Sequence, residues 1–349
     1  MFFYITQYSL ISLLGLVEPR RINYYVYIAL YLILFFTVGL RYEVGGDWET
    51  YLDNYRNFSH ESFGLKDLII REPGWIFFTY ISKLISENEI WPLNLMCAGI
   101  FLLGIESLCR LTNRKVLALA ICYPILIVLV GMGYTRQSVA LGFCFLSLRY
   151  LDNNYLKFLI FSILGFAFHN TSILFSITLY FFNNKNKYPL LKAFILLIVI
   201  YFAFAYTSLY EYFYNMTNEY LILSGYQALG AIPRGIPIAI AALGFLLIPK
   251  YIDSAINFNS NVLVLAISIF MGMIFIGSFT AFDRLYLYFS PIYILFLSNL
   301  NIKNRLFDNF FYELTVYITF LIYLIIWFSY GINYSFWEPY DNYLYHLEI

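Results

Sequence analysis

Apolar residues in this chain come in long unbroken runs, interrupted by short polar breaks and by one longer polar segment between residues 41 and 90. Continuous runs of this kind predict membrane-crossing helices; a transmembrane barrel would alternate apolar and polar positions over segments of roughly ten residues. The runs place candidate spans at 2–17, 22–40, 91–110, 115–132, 134–151, 155–168, 171–182, 189–207, 235–250, 260–281, 283–300 and 310–331. Most are long enough to cross, as helices, about 30 Å of hydrocarbon. The expectation is an all-α polytopic integral membrane protein with about twelve transmembrane helices, forming one transmembrane domain over residues 1–349.

Two stretches depart from the simple span. PGWIFFTYISKLIS, from Pro73 to Ser86, is apolar but short and carries Lys83, so it reads as a re-entrant or interfacial helix within the long segment. Residues 155–182 are too long for one comfortable span and too short for two ideal ones, and His169 and Asn170 fall in their middle. Lysines on both flanks favour a helical hairpin whose turn faces outward or sits partly submerged, which the membrane permits where protein surrounds the break.

Composition strengthens the class and supplies orientation. Hydrophobic residues make up 61% and charged residues 12% of the chain, against roughly 25% charged in soluble domains; the mean hydropathy is +0.71. The net charge of zero leaves no basic patch for nucleic acid. Cys97, Cys109, Cys122 and Cys144 all lie inside apolar runs without metal or disulfide spacing. Arg20 and Arg21 follow the first apolar run instead of preceding it, and no A-x-A site is present, so the run reads as an uncleaved first span. Arg20/Arg21, Arg110/Arg114/Lys115, Arg149/Lys157, Lys185/Lys187/Lys192, Lys250 and Lys303/Arg305 fall on one side, which the positive-inside rule makes cytoplasmic. The segment 41–90, the stretch from Leu209 to Pro233 and the tail 332–349 then lie on the outer side.

A buried arginine costs on the order of 2.5–3.5 kcal/mol on insertion scales, so each one near an apolar run needs a reason. Arg41, Asp47, Glu72, Arg136, His169, Arg234, Asp283 and Arg284 all fall near outer span ends or in outer segments under this topology. Arg41 closes the second span, either as a snorkelling anchor or, with the adjoining EVGGDWETY, as a site residue with Asp47 beside it; the glycine pair permits close backbone approach. Arg136 and Gln137 open a span after two glycines, where the plain alternative is interhelical hydrogen bonding. His169 is either a packing histidine or a proton acceptor or donor to substrate. Arg234 reads as a loop residue between two prolines at the mouth of a span. Asp283 and Arg284 are adjacent in a helix and so point toward separate partners.

Outer-face arginines beside carboxylates and a histidine suit a phosphate-rich group, because guanidinium forks match phosphate oxygens and stay charged in a dry site. Arginines aimed at a departing pyrophosphate would lower the barrier to glycosyl transfer, with Asp47 or His169 accepting the proton of the attacking hydroxyl. Neither HExxH nor a DxD pair is present, so no metal or other cofactor is expected. The 35 tyrosines are compatible with sugar stacking, though an interfacial aromatic belt accounts for most of them.

RYEVGGDWETY (Arg41 to Tyr51), REPGW (Arg71 to Trp75), GYTRQSVALGFCFLSLRYL (Gly133 to Leu151), FHNTSILF (Phe168 to Phe175) and DRLYLY (Asp283 to Tyr288) occur in an order and rough spacing that resembles the EpsG-like branch of the Wzy-type polysaccharide polymerases. The resemblance implies an enzyme of the bacterial cytoplasmic membrane that joins oligosaccharide repeat units carried on undecaprenyl pyrophosphate at the outer face. It implies transfer of the growing chain from its lipid to the non-reducing end of a new unit, with a flippase and a chain-length regulator as candidate partners. By motif position Arg41, Asp47, Arg136, His169, Asp283 and Arg284 match the family's recurring polar residues. A transporter of an anionic glycolipid and a membrane acyltransferase are the alternatives. The first would need polar groups through the full membrane depth, and the second would make His169 the chief catalyst.

Overall fold

The computed structural model describes residues 1–17, 23–58, 72–182, 230–252, 258–275, 280–301 and 306–346. The expected span at 189–207, most of the stretch from Leu209 to Pro233, and Arg20, Arg21, Arg71, Lys185, Lys187, Lys192, Lys303 and Arg305 lie outside the described residues. In chain order the helices are α1 (Phe2–Val17), α2 (Tyr24–Gly39), α3 (Trp48–Arg56), α4 (Pro73–Lys83), α5 (Trp91–Cys109), α6 (Lys115–Gly133) and α7 (Thr135–Leu148). They continue as α8 (Tyr155–Phe168), α9 (Ser172–Phe181), α10 (Ala231–Leu247), α11 (Ser260–Phe275), α12 (Thr280–Tyr286), α13 (Pro291–Asn299) and α14 (Leu306–Tyr330). Together they form an all-α membrane protein. Among the described residues Trp91–Cys109, Lys115–Gly133 and Asn309–Tyr330 are long and apolar enough to cross a membrane, and the shorter apolar helices run 10–17 residues.

Helix α6 is enclosed completely, with every residue from Val116 to Gly133 buried. That suits a segment apolar all round. Pro124 has no N–H to give and its ring crowds the carbonyl one turn back. The Ala120 carbonyl takes the Tyr123 N–H instead, and Tyr123–Val130 widens into a π-helix. Tyr134 (φ −122°, ψ 66°) then breaks the helix, and α7 begins at once with Thr135, Arg136 and Gln137.

Helices α5 and α7 meet backbone to backbone. A Cβ on Gly104 would overlap the Gly142 carbonyl, and one on Gly142 would meet Phe101 and the Ile100 carbonyl. Small residues at such crossings let membrane helices approach closely and gain dispersion contacts.

Polar contacts concentrate at the two ends of the bundle. At one end Arg114 bonds Glu313 (2.8 Å), the Leu300 carbonyl (2.9 Å) and Asn309 (2.9 Å), tying the turn before α6 to α13 and α14. Arg110, Lys115, Arg149, Lys157 and Lys250 flank helix ends on that same side. The opposite end carries α3, α4 and the C-terminal segment. Helix α4 has 11 residues, about 16 Å at 1.5 Å per residue and too short to cross. Its first turn abuts Phe168, and Lys83 at its last residue donates to the Arg56 carbonyl of α3 (3.0 Å). Its two ends are thus held by α8 and α3.

The C-terminal tail is docked. Strand β1 (Arg41–Tyr42) pairs antiparallel with β2 (Asp341–Asn342). The Tyr343 amide bonds the Leu40 carbonyl (2.8 Å), and the Gly45 amide bonds the Phe336 carbonyl (2.7 Å). Trp337, buried, donates its indole N–H to the Val128 carbonyl of α6 (2.9 Å), and its own carbonyl accepts from the Tyr4 hydroxyl (2.9 Å). Its ring fills the space that a side chain at Gly133 would need.

Replacing Trp337 by alanine empties a buried aromatic site and should cost about 3–5 kcal/mol. Trp337→Phe, which keeps most of the packing and loses the hydrogen bond, should cost clearly less. Thermal unfolding of the purified protein in detergent checks the order; equal midpoints for the two variants would contradict it.

Candidate functional site

The polar end is assembled from five segments that helix ends and turns bring together. The first is the turn after α2. Gly45 lies at φ +113°, a conformation that favours glycine, and a Cβ there would strike the Met132 carbonyl. This turn delivers Asp47 to the N-cap of α3. Aspartate there ordinarily accepts a hydrogen bond from the first helical turn, yet the Asp47 side chain makes no capping bond. Glu72 takes the same place before α4, again without a capping bond, with Pro73 opening the helix. The third segment is the start of α7, the fourth the turn between α8 and α9, and the fifth the start of α12.

Arg136 is the junction. Its guanidinium donates to Glu72 Oε2 at 3.0 Å and lies over the rings of Tyr51 (5.7 Å) and Trp75 (6.0 Å). Those two rings stand 5.2 Å apart. The other carboxylate oxygen of Glu72 faces His169 Nδ1 at 3.8 Å. Glu72 therefore spans α4, α7 and the α8–α9 turn. His169 is in turn held by Thr171, whose backbone N–H reaches Nδ1 (3.4 Å) and whose hydroxyl lies 3.1 Å from it. The Thr171 hydroxyl also lies within hydrogen-bond distance of the Tyr288 hydroxyl (3.3 Å).

Arg284 approaches from the other side. Its guanidinium lies over Tyr134 at 5.8 Å, while its carbonyl accepts from the buried Gln137 amide (2.6 Å). Gln137 Oε1 is left without a partner among the described residues. The neighbouring Asp283 turns away, as expected of adjacent helical positions, and receives Arg234 through both oxygens at 3.1 and 2.6 Å.

The electrostatics follow from this geometry. Burial raises the Asp47 carboxyl above its ordinary range, and the charges of Arg284 and Arg136 oppose that rise. Burial likewise raises Glu72 against the pull of Arg136. His169 is pushed down to about 3, by burial first and then by Arg284 and Arg136, so its ring is neutral near pH 7. Arg136, Glu72, His169, Arg284 and Asp47 thus form one interacting cluster.

Arg41 and Arg234 are each taken up by buried partners of their own. The expectation that Arg41 sits beside Asp47 is corrected, because its guanidinium turns back into the protein. It bonds the Val38 carbonyl (2.6 Å), the Val44 carbonyl (3.2 Å), Asn94 (3.2 Å) and Thr135 (2.8 Å) at 2% exposure. It caps the carbonyl end of α2 and stitches α5 to α7, a placement that a cation at a helix C-terminus favours. Arg234 is not on a loop. It lies in the first turn of α10, where Pro233 removes only an N–H that has no helical partner. Its bidentate pairing with Asp283 leaves it 9% exposed. Tyr51, Trp75 and Tyr134 join the cluster, although the sequence did not single them out among the aromatics; their signal was proximity to acids and arginines.

A model of the EpsG family matches residues 24–343. No curated protein and no solved structure matches the chain.

The arginines should separate by stability. Arg234→Ala strands a buried carboxylate and should cost about 3–5 kcal/mol. Arg284→Ala, which breaks no ion pair among the described residues, should stay within about 1 kcal/mol of the parent. Thermal midpoints in detergent measure the difference, and a large loss for Arg284→Ala would place that side chain in the scaffold.

Proposed function

Since the chain belongs to the EpsG family, we propose that it polymerises undecaprenyl-pyrophosphate-linked oligosaccharide repeat units into a surface polysaccharide, by metal-independent glycosyl transfer at the outer face of the bacterial cytoplasmic membrane. The family itself points to a membrane polymerase of polysaccharide biosynthesis. The observation that carries the finer reading is the meeting of Arg136 and Arg284 with Asp47, Glu72 and His169 at one end of an otherwise apolar bundle.

In this reading the end bearing the cluster faces outward, and the end bearing Arg110, Arg114, Lys115, Arg149, Lys157 and Lys250 faces the cytoplasm. A pyrophosphate at the lipid surface meets the guanidiniums there. Arg284, with no carboxylate bonded to it among the described residues, receives the phosphate charge that grows as the glycosidic bond to the lipid breaks. Arg136, braced by Glu72 and flanked by Tyr51 and Trp75, holds the sugar-bearing portion, where flat aromatic faces suit the apolar faces of a pyranose. The gain comes from charge placed where the transition state develops it; losing one such donor costs about 10²–10³ in rate. Asp47 or His169 is then the group within the cluster that takes the acceptor hydroxyl's proton. A flippase and a chain-length regulator are the proposed partners in the membrane. Concentration of the cluster at one end favours chemistry over transport, because a carrier needs polar groups along its whole path.

Purified protein in lipid nanodiscs, given its lipid-linked repeat unit alone, should produce a ladder of longer lipid-linked products. Arg136→Ala and Arg284→Ala should each lower the rate by about 10²-fold or more while single units persist. A wild-type reaction that leaves only single units, or a variant with wild-type chain lengths, would count against the reading.

A further inference from the structure

We propose that Asp47 takes the proton from the attacking sugar hydroxyl, and that His169 serves as a neutral hydrogen-bond donor through Nε2. The assignment rests on the polymerase reading above and divides the labour among the three groups able to take a proton.

Glu72 is occupied. One of its oxygens is bonded to Arg136 at 3.0 Å and the other is turned to the His169 ring at 3.8 Å. It braces α4, α7 and the α8–α9 turn, and moving a proton onto it would weaken the ion pair that sets Arg136. Glu72 is thus a positioning residue.

His169 has the wrong face available. A backbone N–H can only donate, so the Thr171 amide pointing at Nδ1 makes that nitrogen the acceptor; the Thr171 hydroxyl, 3.1 Å away, is able to give its proton to the same nitrogen, and the ring proton is left on Nε2. The nitrogen free to meet substrate therefore carries a hydrogen and has no lone pair to offer. Protonating Nδ1 would set an N–H against an N–H, with the charges of Arg136 and Arg284 close by. Glu72 on α4 is the one acid facing the ring among the described residues, and it is already neutralised by Arg136.

Asp47 is the carboxylate left with its lone pairs open. It stands at the N-cap of α3 without using its side chain as a cap, and no hydrogen bond or ion pair holds it among the described residues. The groups facing it are Arg136 of α7, Arg284 of α12, Tyr51 of its own helix and Tyr134 between α6 and α7. Burial raises its carboxyl above the ordinary range while the two guanidiniums oppose the rise, which makes it a stronger base than a surface carboxylate. In the step it serves, the acceptor oxygen forms its bond to the anomeric carbon of the growing chain while the bond from that carbon to the pyrophosphate oxygen breaks. The electron pair leaves with the pyrophosphate beside Arg284, and the hydroxyl proton passes to Asp47 and then to water.

The test is the initial rate of elongation in nanodiscs against pH for the wild type, Asp47→Asn, Asp47→Glu, His169→Gln and Glu72→Gln, with a labelled lipid-linked unit as substrate. A carboxylate base must be ionised, so the wild-type rate should fall as pH drops through a value above the ordinary ~3.9 of aspartate. Asp47→Asn should lose about 10²-fold or more in kcat with KM little changed and should erase that acid limb; Asp47→Glu should restore part of the rate and the limb. His169→Gln, whose amide can still donate, should keep the limb and lose about tenfold or less. Glu72→Gln should raise KM together with the loss in rate and keep the limb. Labelled-substrate binding by Asp47→Asn at the wild-type level shows that the fold is intact. The assignment is overturned if Asp47→Asn elongates within a few-fold of wild type, or if His169→Gln removes the acid limb while Asp47→Asn retains it. A wild-type protein that binds the lipid but builds no ladder overturns the polymerase reading itself, whereas a normal ladder with an unaffected Asp47→Asn overturns this inference alone.

Discussion

The enclosure of α6 is the constraint on which the rest depends. A helix buried on every side cannot carry a polar stripe; apart from the Tyr123 hydroxyl, which donates to Gln7 Oε1 (2.9 Å), its polar contacts with the tail and with α7 are made by its backbone and at its ends. Pro124 opens the π-turn, the Val128 carbonyl is reached by Trp337, and the break at Gly133–Tyr134 sets where α7 starts. Because Arg136 and Gln137 sit in the first turn of α7, their position follows from where α6 stops. The tail that caps α6 also pairs with the strand leading to Asp47. One apolar element thereby references both halves of the cluster.

Charge at the polar end is handled in two ways. Arg41 and Arg234 are almost wholly enclosed and have their donors taken up by carbonyls, hydroxyls, an amide or a bidentate carboxylate. Such groups fix the geometry, since removing one partner from an enclosed pair leaves an uncompensated charge. Arg136 and Arg284 retain partial exposure and lie over aromatic rings. Cation–π contact holds a guanidinium in place without exhausting its hydrogen-bonding fork, which leaves it able to meet an anion.

The helical class and the approximate limits of most described helices were legible because apolar runs are local: 155–168 and the hairpin break at His169 coincide with what the residues themselves announce. Pairings across the chain were not. Arg41 and Asp47 are neighbours in sequence, yet the Gly45 turn sends them in opposite directions, and Glu72 finds Arg136 across 64 positions. Arg234 looked like a loop residue because two prolines flank it, whereas Pro233 is tolerated in a first turn and Pro237 lies inside the helix. Nor could a tail rich in aromatics reveal that Trp337 reaches a carbonyl 209 positions earlier. Local pattern reads out secondary structure, while the site is set by which ends meet.

The contact between Gly104 and Gly142 has a bearing on how such a chain can diversify. Where main chain lies against main chain there is no side chain to exchange, and any added carbon would wedge α5 and α7 apart. That seam is closed to change. On the proposed function, new sugar preferences would arise on the far margin of the cluster, around Tyr51 and Trp75 on α3 and α4, whose rings flank Arg136 and not that seam.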